Sequence, residues 1–165
     1  MAIKTASVAL DGDGLRFVGS VGSGHALILD DASGDTGARP SELVPLALAG
    51  CTAMDVISIL RKKRQDVRAY RVETTGVQMD AHPNAFTRID VTHVVTGVGV
   101  DAAAVARAIE LSATKYCSVG STLSTGITEI HHGYRLIDAE TGAETTVDEV
   151  IVEGPGNELT VVAES

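Results

Sequence analysis

A long apolar run, from Val44 to Leu60, constrains the fold of this chain more than any other feature. The basic residues "RKKR" follow it directly, and Cys51 lies near its middle. The run is about long enough to cross a membrane, but Asp55 would then lie in the hydrocarbon at a cost on the order of 2.5–3.5 kcal/mol. A helix that is apolar on nearly all sides is otherwise buried inside a protein. We therefore expect a buried helix and no membrane association.

The composition restricts the class of protein and its partners. At 165 residues the chain is long enough for a sizeable core, and we expect a single domain over residues 1–165. The net charge of -9 argues against nucleic acid as a partner. The N-terminus "MAIKTASVALDGDG" has no apolar segment of the kind that a secretion signal needs. Two cysteines without such a signal predict a reducing, cytoplasmic location.

Hydrophobic periodicity predicts the order of the secondary-structure elements. Three short strands are expected over residues 3–10, 15–21 and 25–31, separated by the turns "DGDG" and "GSG". The apolar helix follows; it begins at Pro40 or Pro45 and ends at about Arg64. The remaining expected elements are strands over 68–80 and 88–100, a helix over 102–117 with Asp101 as its N-cap, a short helix near 120–126, a strand over 127–138, and a terminal hairpin over 144–165 around "GPGN".

This order of elements defines the fold class. Strands, a helix, two long strands, a second helix and further strands are typical of an α+β fold with mostly antiparallel pairing. Both long helices are rich in apolar residues, and a monomer of this size can cover an all-apolar helix only with difficulty. We therefore expect an obligate homodimer in which helices from both chains share one core.

The two cysteines carry the clearest chemistry. Cys51 and Cys117 are far apart in sequence, one on each long helix, and the lack of a CxxC motif excludes a thioredoxin-type motif and a zinc ribbon. On the residues alone, two interpretations stay open. The thiols are either buried and structural, or reactive, since both have small neighbours in "AGCTA" and "YCSVGST". The cations that could stabilise a thiolate are Arg16, Arg39 and Lys115.

Other polar residues are interpreted as modulators or as structural groups. Asp55 lies one turn after Cys51 on the same helical face, where its charge would oppose thiolate formation. His131 and His132 are adjacent on a predicted strand and point to opposite faces, which makes them poor joint ligands. His93 alternates with apolar residues along its own strand. We expect these histidines to be structural, and we predict no metal site.

Three segments together carry a resemblance to a known family: "RPSELVPLALAGCTAMDVISILRKKR", "VETTGVQMDAHPNAFTRIDVTHVVTGVGVDAAAVARAIELSATKYCSVGSTL" and "EIHHGYRL". The sequence resembles the OsmC/Ohr family of osmotically inducible protein C and organic hydroperoxide resistance proteins, and especially its general OsmC-like branch. The resemblance covers residues from about 15 to 137 and implies antiparallel sheets that enclose two long central helices in an intertwined homodimer. Residues 138–165 exceed this core and are expected to form an extra hairpin that covers a sheet edge.

The resemblance also implies a function, the thiol-dependent reduction of organic hydroperoxides without a metal or another cofactor. Cys51 would be the peroxidatic thiol, which forms a sulfenic acid, and Cys117 would be the resolving thiol, which closes a disulfide. An external dithiol, for which a lipoyl protein is one candidate, would restore both thiols. An arginine from the N-terminal strands would activate Cys51; Arg16 is the first candidate and Arg39 the second.

One position departs from the peroxidase branch of the family. That branch has a glutamate directly after the proline that opens the first helix, whereas this chain has Ser41 there and Glu42 one residue later. One residue on a helix turns a side chain by about 100°. Glu42 is therefore the candidate partner of the arginine, but at a shifted position. Two alternatives to a peroxidase stay open, namely another thiol-dependent reaction and a non-catalytic small-molecule-binding or structural dimer.

Overall fold

The computed structural model describes residues 1–155 of the chain. These residues form two compact units, one over residues 1–44 and the other from Pro45 onward, and each unit is considered by itself. The long apolar helix begins in the first unit and continues through the second. The single domain expected from the sequence stays a prediction.

The first unit contains a small antiparallel sheet. Its strands are β1 (Ala6–Leu10), β2 (Phe17–Val21) and β3 (Ala26–Leu29), paired in the order β1-β2-β3. The two connections use glycines with positive φ, Gly12 at 94° and Gly24 at 87°, a conformation that disfavours other residues. The three strands and both glycine turns agree with the sequence prediction, although each strand is shorter than expected.

The long apolar helix starts with a tighter turn. A 3₁₀ turn over Pro40–Glu42 leads directly into α1 (Leu43–Lys62), so the helical chain begins at the first of the two candidate prolines. The backbone amide of Arg39 donates to Glu42 Oε2 at 2.9 Å and closes this first turn. Arg64 has a φ of 57° and ends the helical path, close to the predicted end.

The second unit contains a four-stranded mixed sheet. Its strands are β4 (Asp66–Gln78), β5 (Phe86–Val98), β6 (Glu129–Asp138) and β7 (Glu144–Glu153), in the order β4-β5-β6-β7. The pairs β4/β5 and β6/β7 are antiparallel, as expected, but β5/β6 is parallel. A parallel pair requires a crossover, and the helices between β5 and β6 provide it. In the predicted C-terminal hairpin, the first strand is β7, which pairs with β6, and the return strand lies outside the described residues.

The second helix differs from its prediction. The expected single helix over 102–117 is α2 (Ala102–Leu111) followed by a π-helical turn over Ser112–Tyr116. Thr114 donates its side-chain hydroxyl to the carbonyl of Glu110 at 2.7 Å, and such a bond competes with the regular backbone ladder. The amide of Cys117 instead reaches back five residues to the carbonyl of Ser112, at 2.8 Å. A short helix, α3 (Ser118–Leu123), follows immediately.

The core of the second unit lies between the helices and the sheet. Val56 and Leu60 of α1 belong to the same buried cluster as Val105 and Ile109 of α2. The buried cluster consists of Val56, Leu60, Val95, Ala104, Val105, Ala108, Ile109 and Tyr134. Burial of these side chains is the main favourable term that holds α1 and α2 on the sheet.

Helix α1 is buried on one face only. By length and composition, the helical stretch Pro40–Lys62 could cross a membrane. One face of this helix is fully buried, at Leu48, Val56 and Leu60. The opposite face leaves Leu46 63% and Met54 70% exposed. The helix therefore presents an apolar face with no cover within the described chain.

We expect Leu60→Ala to lower the free energy of unfolding by about 2–5 kcal/mol, because it removes fully buried apolar atoms and leaves a cavity. Ile127→Ala is the matched control: Ile127 is 55% exposed, and its truncation should change stability by less than about 0.5 kcal/mol. Urea denaturation followed by circular dichroism measures both. Equal losses for the two variants would contradict this position of the core.

Candidate active site

The fold brings the two cysteines together. Cys51 lies on α1 and is partly buried, while Cys117 lies between the π-helical turn and α3 with 3% of its surface exposed. Their sulfur atoms and one carboxylate oxygen of Asp55 all lie within 4.8 Å of one another. Both thiols are free. Two free thiols at this separation can exchange protons and can close a disulfide with only a small movement.

Cys117 has the more protected sulfur. Burial raises the pKa of its thiol to about 12, and the hydrogen bond with Cys51 adds to the shift. The backbone amide of Gly120 donates to the sulfur at 3.3 Å and works in the opposite direction, since this bond favours the thiolate. The Cys117 thiol therefore keeps its proton at neutral pH unless a neighbouring group accepts it.

Asp55 is held in place by two hydroxyl groups. Ser112 Oγ lies 3.0 Å from Asp55 Oδ2 and 3.0 Å from Thr52 Oγ1. A hydroxyl has one proton and an ionised carboxylate can only accept, so Ser112 donates to Asp55 while Thr52 supplies its own proton to Ser112. The sequence prediction that Asp55 shares the helical face of Cys51 is confirmed, because the carboxylate reaches both sulfur atoms.

A chain of buried polar side chains lies in the sheet of the same unit. The hydroxyl of Tyr70 lies 2.7 Å from His93 Nδ1, the rings of His93 and His132 stack with their centroids 6.0 Å apart, and His132 Nε2 lies 3.0 Å from Glu153 Oε2. Burial, followed by the nearby His132, lowers the pKa of His93 to about 3. His93 is therefore neutral at physiological pH.

The sequence pattern predicted only part of this row of polar side chains. The alternation of apolar residues along β5 places His93 on the buried face, and His131 and His132 point in opposite directions as expected. His131 lies near the glutamates Glu129 and Glu149, whereas His132 is fully buried. Glu153 was not identified from the sequence, because its inward position depends on the register between β6 and β7.

A cavity of about 260 Å³ opens beside Cys117. Its lining includes Lys115 and Tyr116 of the π-helical turn, Ser121 of α3, and Glu153 at the end of β7. A methyl group at Gly120 would lie 3.5 Å from Cys117 Sγ and 3.2 Å from Glu153 Oε2, so the carboxylate and the thiol border the same small space. The cavity is large enough to admit water or a small thiol reagent.

The other predicted site residues belong to the first unit. Arg16 pairs with Asp11 and donates from Nε to Thr36 Oγ1 at 3.1 Å. Arg39 pairs with Asp35 at 3.0 Å. Glu42 lies on the adjoining 3₁₀ turn, with 3.7 Å between its carboxylate and the Arg39 guanidinium. The roles of Arg16, Arg39 and Glu42 at Cys51 stay predictions.

The donor atoms at the thiols do not complete a structural metal site. Two sulfur atoms and one carboxylate oxygen give three donors, and within residues 1–155 no fourth His, Cys, Asp or Glu joins this group. A structural zinc site in proteins has four ligands. This arrangement directly supports thiol chemistry in which the carboxylate of Asp55 lies near both sulfur atoms.

Two neighbouring thiols on helices that pack against a mixed sheet define a dithiol protein of the α+β class. The family model described as "OsmC-like protein" matches residues 32–131 of this chain. "Protein YhfA" from Escherichia coli (strain K12) is 44% identical over 127 residues, which are 77% of this chain and 94% of that protein. The chain belongs to the OsmC-like family.

Solved structures confirm the OsmC-like fold. A hypothetical protein from Aquifex aeolicus VF5 is 25% identical with a TM-score of 0.75, covering 85% of this chain and 100% of that chain. An OsmC-like protein from Mycoplasma pneumoniae is 13% identical with a TM-score of 0.71, over 82% and 97% of the two chains. The organic hydroperoxide resistance protein OhrB of Bacillus subtilis is 15% identical with a TM-score of 0.55, over 81% and 98%.

We expect iodoacetamide at pH 8 to alkylate Cys51 well before Cys117, because Cys117 is buried and its pKa of about 12 leaves very little thiolate. Intact-mass analysis of quenched samples, followed by peptide mapping, measures both rates. Protein unfolded in urea is the control, in which the two thiols should react at similar rates. Faster labelling of Cys117 than of Cys51 in the folded protein would contradict the assignment of the protected sulfur.

Proposed function

We propose that the protein is a thiol peroxidase that reduces organic hydroperoxides through Cys51 and Cys117. The observation that carries the proposal is the placement of two free thiols within 4.8 Å of each other on separate elements of the fold. Buried thiols that serve only packing need no second sulfur at this distance. Membership of a family whose fold is shared by organic hydroperoxide resistance proteins supports the same reaction class.

Cys51 is the thiol that meets the peroxide. It is the more accessible of the two, and the Cys117 thiol keeps its proton. The Cys51 thiolate attacks one oxygen of the hydroperoxide, the O–O bond breaks, and the departing alkoxide takes a proton to leave as an alcohol. The sulfur is oxidised to a sulfenic acid. Arg16, with Arg39 as second choice and Glu42 as its partner, is the proposed group that favours this thiolate.

Cys117 resolves the sulfenic acid. Its sulfur attacks Cys51, the S–O bond breaks, and water leaves as the disulfide forms. An external dithiol, such as that of a lipoyl protein, then returns both cysteines to thiols by exchange. The cycle needs no cofactor beyond that reductant. A pair of free cysteines that must be reduced in every cycle suits a reducing, cytoplasmic location.

We expect one equivalent of cumene hydroperoxide to remove both free thiols of the wild-type chain, because the sulfenic acid on Cys51 is converted into a disulfide. Cys51→Ser should lose no thiol, and Cys117→Ser should stop at a sulfenic acid that dimedone traps. Thiol counting with a chromogenic disulfide and intact-mass analysis measure these outcomes. A wild-type protein that keeps both thiols would overturn the peroxidase and favour a non-catalytic dimer.

We also propose that the protein is a homodimer. The open face of α1 exposes Leu46 and Met54, and the first unit exposes Val8, Leu10 and Leu15. A monomer rarely leaves this much large apolar surface in water, and a second copy of the chain offers a matching apolar face.

Sedimentation equilibrium at micromolar concentration should give twice the chain mass of 17.1 kDa. Met54→Glu should shift the equilibrium toward the monomer, because it puts a charge on the open face of α1. The control is Thr145→Glu at an exposed position of β7, which should leave the dimer intact. Ser58→Glu cannot serve as the control because Ser58 lies on α1 as well. A stable wild-type monomer would refute the dimer.

A further inference from the structure

The second half of the proposed reaction requires a proton acceptor. Cys117 must attack as a thiolate, yet its surroundings keep the thiol protonated, with a pKa of about 12. A protonated thiol is a poor nucleophile. The backbone amide of Gly120 stabilises negative charge on the sulfur but cannot accept a proton. A side chain near Cys117 therefore has to take the proton as the sulfur attacks.

Asp55 is placed for this task. Asp55 lies four positions after Cys51 along α1, so the two side chains lie on one face of the helix. One of its carboxylate oxygens lies within 4.8 Å of the sulfur of Cys51 and also of the sulfur of Cys117. The carboxylate of Asp55 thus lies near the sulfur of Cys117, which gives up a proton, and near the sulfur of Cys51, from which the leaving group departs.

The orientation of Asp55 is fixed without blocking it. Ser112 donates to Oδ2 at 3.0 Å and is itself braced by Thr52, so the carboxylate does not need to reorganise during the reaction. A carboxylate has two oxygens and about four lone-pair positions, of which this bond occupies one. The charge of Asp55 also acts on Tyr70 of β4: burial raises the pKa of the Tyr70 hydroxyl, and Asp55 raises it further.

Glu153, the second carboxylate near Cys117, is less suited to accept the proton of the thiol. Glu153 borders the cavity beside Cys117, but its Oε2 lies 3.0 Å from His132 Nε2, and it does not belong to the group of atoms within 4.8 Å of both sulfurs. Lys115 lines the same cavity, but an ammonium group has hydrogen-bond donors and no acceptor. Within residues 1–155, Asp55 is the only carboxylate that belongs to the group of atoms within 4.8 Å of both sulfurs.

We propose that Asp55 is the proton-transfer residue of the resolving step, an inference that rests on the proposed function. It accepts the proton of Cys117 as that sulfur attacks Cys51, and it returns the same proton to the group that leaves Cys51. From the sulfenic acid, the new S–S bond replaces the S–O bond and water departs. Charge and atoms balance, since one thiol proton and one hydroxyl become one water molecule.

The test can start without a peroxide. Methyl methanethiosulfonate is a small reagent that converts the accessible thiol of Cys51 into a methyl disulfide; Cys117 then attacks, and methanethiol leaves. We expect Asp55→Asn to slow this closure about 100-fold, the scale of general acid–base catalysis. Acid quenching and intact-mass analysis separate the methylthio adduct from the disulfide. This readout is needed because the chain has no tryptophan to report the change by fluorescence.

Two variants control the experiment. Asp148→Asn makes the same substitution at an exposed position of β7 and should close at the wild-type rate. Asp55→Glu keeps the carboxylate and should retain more of the rate than Asp55→Asn. Urea denaturation checks that each variant folds. Closure in Asp55→Asn at the wild-type rate, or faster, would overturn the proposal, and so would equal losses in Asp55→Asn and Asp55→Glu.

A second arm uses cumene hydroperoxide and separates the two proposals. In Asp55→Asn, the sulfenic acid should form at least as fast as in the wild type, because a negative charge beside Cys51 is gone, and it should then persist. This split between the two steps is not expected from a general loss of structure. If the wild type forms no sulfenic acid but Asp55→Asn still slows the methanethiosulfonate closure, the peroxidase fails while the role of Asp55 stands.

Discussion

The buried apolar cluster that holds α1 and α2 on the sheet is the interaction on which the rest of the second unit depends. Val56 and Leu60 of α1 share this cluster with Val105 and Ile109 of α2 and with Val95 of β5. Cys51 lies on α1 and Cys117 follows α2, so this packing holds in place the two segments that carry the thiols. Interiors are packed as densely as organic crystals. A change in the helix–helix distance would therefore be transmitted directly to the sulfur atoms.

The polar groups around the thiols illustrate a second constraint, the cost of burying charge. A carboxylate that leaves water needs hydrogen bonds or a counter-charge. Asp55 meets this need with the hydroxyl of Ser112, and Glu153 meets it with the ring of His132. His93 is instead kept neutral by its surroundings. The site thus combines two carboxylates with two thiols, and each carboxylate has its own structural support.

The sequence could predict the elements but not all of their junctions. Periodicity identified the strands and α1, and residue resemblance identified the family, because both depend on local side-chain pattern. The π-helical turn was missed, since a backbone bond from Cys117 to Ser112 leaves no pattern of apolar residues to recognise. The parallel β5/β6 pair and the inward position of Glu153 depend on contacts between distant segments. The proximity of Cys51 and Cys117 was proposed from resemblance, and no spacing rule could have supplied the distance.

The π-helical turn has a consequence for the direction of the Cys117 side chain. A π turn contains one residue more than an α-helical path between the same two ends. If the same residues followed a regular α-helical path instead, the additional residue would turn Cys117 by about 100° around the helix axis. Its sulfur would then point away from Cys51 and Asp55, which lie within 4.8 Å of it. The wide turn over Ser112–Tyr116 therefore sets the direction of the Cys117 sulfur through the path of the backbone.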